Sequence, residues 1–165
     1  REERAVLLQH AIDSIASTFF TQVLFADFEL QAHRLVEQDQ PVTAAALSAI
    51  YAGLLREYYG DVIDEEEISR VTWARIPHFF STPYYVYQYS TCFASTARLM
   101  QDLRSSNGAR RASAVSRYLS LLEAGGSDYP VTLLQRAGVD LTKPDTVRAV
   151  SAELDDLVTR LEREL

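Results

Sequence analysis

A chain of 165 residues with 47% hydrophobic and 24% charged side chains has the make-up of an ordinary globular protein, long enough to bury a sizeable core. Its 16 basic and 23 acidic residues give a net charge of −7, which argues against nucleic acid, because a protein that tracks a phosphate backbone needs a basic face. No apolar run approaches the roughly 20 residues of a membrane span, so no membrane partner is expected, and the single cysteine, Cys92, excludes an intrachain disulfide and fits a reducing, cytoplasmic setting.

Arg1-Glu2-Glu3-Arg4 leads straight into a helical pattern, with no sign of a secretory leader. Residues 3 to about 37 contain neither Pro nor Gly and predict one long helix, apolar on more than one side. His10, Ser14, Ser17 and Thr21 form a polar stripe along it, facing either a wet cleft or a neighbouring helix. Glu29 and His33, four apart, read as a surface pair. Pro41 breaks the chain, Thr43 is placed to cap a helix over about 44–59, and Gly60 to end it. The acidic link 61–67 lacks the spacing of a calcium loop and reads as a solvated helix start.

A short helix is expected over about 68–74, and a turn or loop over 78–81 after Pro77. Thr82-Pro83 then has the form of a helix start, predicting a helix over about 83–104 that opens with Tyr84, Tyr85, Tyr87 and Tyr89. At about 100° per residue, Tyr84 and Tyr87 would share one face and Tyr85, Tyr89 and Cys92 another. Further helices are expected over about 109–124, ended by Gly125-Gly126, over a short stretch closed by Gly138, and over about 144–164, capped by Thr142. Arg110, Arg111 and Arg117 read as a solvated helix face. No segment alternates as a strand does, so the expected fold is all-α, one multi-helix bundle over residues 1–165.

The chemistry-bearing candidates are few. His10, His33 and His78 lie far apart and no His-Glu-x-x-His occurs, so this chain is expected to hold no metal. Cys92 sits in a helix that looks buried and is expected to be a packed, inert thiol. Neither a Gly-x-Ser-x-Gly elbow nor a phosphate-cradling loop is present. The cluster of His78 with Tyr84, Tyr85, Tyr87 and Tyr89 remains. Phenol O–H groups can donate to a developing oxyanion and line a cleft for extended peptides; the same residues can equally form an aromatic core with satisfied hydroxyls.

Ile76-Pro77-His78-Phe79 followed by Pro83-Tyr84-Tyr85-Val86-Tyr87-Gln88-Tyr89 resembles the C-terminal signature of the oligoendopeptidase F family, zinc metallopeptidases related to thimet oligopeptidase. Further stretches are similar to the family in the same order: 18–26 with Phe28-Glu29, Tyr58-Tyr59-Gly60, Trp73-Ala74-Arg75, and 124–130 with 137–140. The resemblance implies a helical, zincin-like fold with a deep channel, of which this chain is expected to be the C-terminal wall, a fragment or truncated relative without the zinc-binding elements. It also implies that Tyr87, then Tyr85, stabilises the oxyanion. His78 would contact the peptide backbone, and Tyr84 and Tyr89 would line the substrate site. Phe80 stands where the family often has Tyr, and Ser90-Thr91-Cys92 where Ala-Thr-Gly is common. The expected function is the substrate-binding, oxyanion-stabilising portion of a zinc oligoendopeptidase acting on short peptides, inactive alone. Zinc belongs to the complete enzyme, and the expected partner is the missing N-terminal portion or a second copy. The alternative is a non-catalytic helical module that binds peptides or proteins.

Overall fold

A computed structural model describes residues 1–62 and 69–165. Most of the acidic link, from Asp64 to Glu67, therefore lies outside the described residues. Among the described residues every regular element is a helix, as the absence of period-two alternation requires, and no helix is long and apolar enough to cross a membrane.

The first helical path runs through α1 (Glu2–Ile15), a π-helical segment (Ala16–Phe20) and α2 (Thr21–Glu37). Where the ladder widens, Ser17 Oγ donates to the carbonyls of Asp13 (2.8 Å) and Ser14 (3.4 Å), so this part of the polar stripe bonds back to its own helix. Thr21 instead meets the Tyr59 hydroxyl at 3.3 Å. α3 (Ala44–Tyr59) starts as expected, with Thr43 Oγ1 accepting the Ala46 N–H at 3.1 Å. It ends at Gly60, whose φ of 59° and ψ of −139° a side chain would oppose.

Two 3₁₀ turns (Gly60–Val62 and Ser69–Arg75) lead to the one-turn helix α4 (His78–Ser81), where a turn or loop was expected. α5 (Tyr87–Leu103), α6 (Gly108–Ala124), α7 (Pro130–Arg136) and α8 (Pro144–Glu164) complete the chain. Asn107 caps α6, its Oδ1 accepting the Arg110 N–H at 3.0 Å. Thr142 does not cap α8. Its Oγ1 and its N–H both go to Asp140 Oδ1 (2.6 and 3.0 Å), and these bonds hold the Asp140 carboxyl below its usual range.

The chain divides into two compact units, Phe20–Ser90 and Arg1–Phe19 with Thr91–Leu165. In the first, Leu24, Phe25 and Phe28 of α2 pack with Tyr51 and Leu54 of α3 and with Val86. Phe28 is the centre of an aromatic nest: Tyr51 meets it edge-on at 5.5 Å, Trp73 stacks at 6.0 Å, and Phe79 lies at 5.1 Å. Trp73, partly buried against this core, also donates its indole N–H to Ser48 Oγ at 3.2 Å.

In the second unit α1 packs along α8, with Leu8, Ile15, Val150 and Leu157 buried. Ala94 and Ala97 of α5 and Ala114 of α6 are buried as well. Of the arginines expected on a solvated face, Arg111 is exposed, whereas Arg110 and Arg117 reach a carboxylate. Asp102 of α5, only 7% exposed, takes hydrogen bonds from Arg98 (3.0 Å) and Arg110 (2.5 Å), and Arg117 lies 3.6 Å away. Arg117 Nε also donates to the Ala137 carbonyl at 3.2 Å, just where Gly138 takes φ 93° and a Cβ would sit 3.2 Å from that same nitrogen.

Candidate functional site

The site belongs to the Phe20–Ser90 unit and is built on a strained turn. α4 closes on itself: Ser81 Oγ donates to the Pro77 carbonyl at 2.9 Å, and the Thr82 N–H to that of His78 at 3.0 Å. The chain does not continue as the helix that Thr82-Pro83 announces. Tyr84 takes φ 58°, the left-handed region that a tyrosine rarely enters, and α5 begins only at Tyr87. A proline followed by a positive-φ residue is the order of a type II turn, but Gly or Asn usually fills the second place, so Tyr84 disguised it.

Tertiary contacts hold the turn. The Tyr84 N–H donates to Glu29 Oε1 at 2.8 Å, and its ring stacks on His33 at 4.5 Å with 27° between planes. Glu29 is 5% exposed, so it is no surface residue; the sequence placed it correctly on a helix but on the wrong side. Val86, 1% exposed, closes the turn by entering the core.

With the turn fixed, three of the expected residues come together. His78 lies face to face with Tyr85 (5.4 Å, 11°), and Tyr89 stands edge-on to both, 6.0 Å from His78 and 5.4 Å from Tyr85. Tyr89 Oη is 3.5 Å from His78 Nε2. Desolvation, then the hydrogen bond and charge of Tyr85, push the Tyr89 phenol above its ordinary value. Tyr87, the first residue of α5, stands apart and is 47% exposed. Tyr84 does not share its face, because the turn sends Tyr84 to His33. Phenols and an imidazole at a partly exposed surface can donate hydrogen bonds to carbonyl oxygens and give apolar contact to a chain laid over them.

Cys92 is exposed, not packed, because α5 buries the face that carries Ser90, Ala94 and Ala97 instead. Among the described residues no group of three or more His, Cys, Asp and Glu could hold a metal ion. His33 and Glu29 are engaged with Tyr84, and His78 is packed among phenols, so this donor set does not fit zinc.

Residues 1–152 match Peptidase family M3. The chain belongs to that family. It is 34% identical over 163 residues to oligopeptidase PepF of Bacillus subtilis and 39% identical over 136 residues to an oligoendopeptidase F homolog of Borreliella burgdorferi. These alignments cover 98% and 82% of this chain but only 23% and 22% of the two relatives, so the chain spans less than a quarter of their length. The crystal structure of oligoendopeptidase-F from Enterococcus faecium superposes with a TM-score of 0.88 at 35% identity, over 97% of this chain and 30% of that one. A putative peptidase from Chlamydophila abortus gives 0.88 at 33% identity, over 99% and 27%. The all-helical architecture is thus that of the oligoendopeptidases. Family M3 is in general a zinc-dependent family of metallopeptidases that acts on peptides.

Proposed function

We propose that this chain forms the substrate-binding and oxyanion-stabilising part of a zinc-dependent oligoendopeptidase that hydrolyses short peptides, and that it is inactive by itself. The observation that carries the reading is the grouping of His78, Tyr85 and Tyr89 beside the exposed Tyr87, on a turn fixed to the core of its unit. Tyr87, free of the ring cluster and open to solvent, is the first oxyanion donor, and Tyr85 the second. His78 donates to a backbone carbonyl of the peptide, and Tyr84 and Tyr89 line its path. The residues present do not fit zinc, so the reading leaves the metal to polypeptide outside this chain, either a preceding portion of the same enzyme or a partner. The setting is the cytoplasm, in keeping with the single thiol.

The test replaces the corresponding segment of Bacillus subtilis oligopeptidase PepF with this chain and follows a quenched fluorescent peptide. Tyr87→Phe in the chimera should lower kcat by about 10²–10³, the usual effect of removing an oxyanion donor, with little change in KM. Unchanged kcat removes Tyr87 from the role. A folded chimera that binds peptide without cutting it would support the non-catalytic binding module.

A further inference from the structure

We propose that Glu29 is a positioning residue, its buried carboxylate acting through the Tyr84 amide to hold the 82–86 turn in the conformation that brings His78 and Tyr85 face to face. The inference rests on the reading of that cluster as a substrate site.

α2 grips the site segment at two points. Phe25 and Phe28 take the ring of Phe79, at 5.7 and 5.1 Å, at the near end. Glu29 and His33, one helical turn apart, take the backbone and ring of Tyr84 at the far end. His78 and Tyr85 are the residues just outside those two anchors, and their rings stack at 5.4 Å with only 11° between planes. Fixing Phe79 and Tyr84 on one helix therefore fixes the approach of His78 to Tyr85. Tyr89, edge-on to both, completes the group.

The second anchor needs an acceptor. An L-residue at φ 58° resists that conformation, so without a partner the Tyr84 peptide would relax out of it. A carboxylate accepts a shorter and stronger hydrogen bond than a neutral group, and this one is 2.8 Å long and shielded from water. Carboxylates are seldom buried without such an engagement. A backbone outlier held by a buried charge beside a group of exposed donors is the pattern expected where strain serves a site.

The experiment uses the 165-residue chain itself. By NMR, the Tyr84 amide should exchange at least about tenfold more slowly than an open peptide amide, and the His78 ring protons should carry the upfield shift of a stacked imidazole. Glu29→Ala should abolish both, while Glu29→Gln, which keeps an acceptor oxygen, should retain both. An unprotected Tyr84 amide in the unaltered chain overturns the inference, even if Glu29→Ala fails to fold. So does a Glu29→Ala variant that keeps its shifted His78 signals. In the PepF chimera, Glu29→Ala should lower kcat by about 10²-fold, the effect of misplacing reacting groups by an ångström, with rescue by Glu29→Gln. If the NMR signature is lost but kcat holds, Glu29 still positions the cluster, and it is the cluster's role in hydrolysis that falls.

Discussion

Tyr84 sits between two opposed costs. A left-handed backbone disfavours any residue with a Cβ by about 1–2 kcal/mol, whereas the stack of its ring on His33 returns about 0.5–1.5 kcal/mol. Glycine would remove the backbone cost and the stack together; alanine would keep the cost and lose the stack. Tyr84→Gly should therefore be more stable than Tyr84→Ala by about 1 kcal/mol, read by urea denaturation. The reverse order would mean that the turn is not held at positive φ. Phe28, buried among Tyr51, Trp73 and Phe79, should cost about 3–5 kcal/mol when cut to alanine. At this scale the sequence displayed the candidate side chains, because four tyrosines and a histidine within twelve positions are visible in one line. It could not show Glu29 or His33 as their support. Those residues lie about 50 positions away, and an i, i+4 acidic–histidine pair looks the same on a wet face as under a turn.

Helices, as elements, were the most legible feature. The Thr43 cap, the Gly60 and Gly125 stops and the α6 start at Gly108 follow from local rules that act within one turn. Where the reading failed, a neighbour had overridden the local preference. Glu29 holds Tyr84 out of the helix that Thr82-Pro83 would start, and Asp140 takes the hydroxyl that would have capped α8. The pairing of Arg110 and Arg117 was hidden for the same reason, since Asp102, their partner, belongs to α5. Desolvation alone would raise the Asp102 carboxyl, but hydrogen bonds from Arg110 and Arg98, with their charges, outweigh it and hold the group below its usual value. A depressed carboxyl stabilises the fold fully above the unfolded value of about 3.9. That stability is lost as pH falls through the lower folded value. Asp102→Asn should thus destabilise the chain by about 2–3 kcal/mol at neutral pH. Thermal melts of the variant from pH 7 down to about 3 should show a flatter acid limb than those of the parent; parallel limbs would mean that the guanidiniums do not hold Asp102 ionised.

At the scale of the whole chain, several large apolar side chains lie open to solvent. Val6 and Leu7 on α1, Leu122 on α6 and Leu165 at the end of the chain are all more than half exposed, 68% for Leu7. Exposed apolar surface promotes association, so the isolated chain should self-associate, and a clean monomer by light scattering at high concentration would count against that. With added zinc it should leave a quenched fluorescent peptide uncut; chelator-sensitive cleavage would show that it houses a metal centre of its own. The placement of Trp73 gives a way to watch such a molecule come apart. It is the only tryptophan, and it stacks on Phe28 inside the Phe20–Ser90 unit with its indole N–H on Ser48. Its emission therefore reports the melting of that unit alone, while far-ultraviolet circular dichroism reports helices from both. Superimposable curves would mark a single cooperative transition, and a tryptophan-emission midpoint displaced from the ellipticity midpoint would resolve two unfolding events.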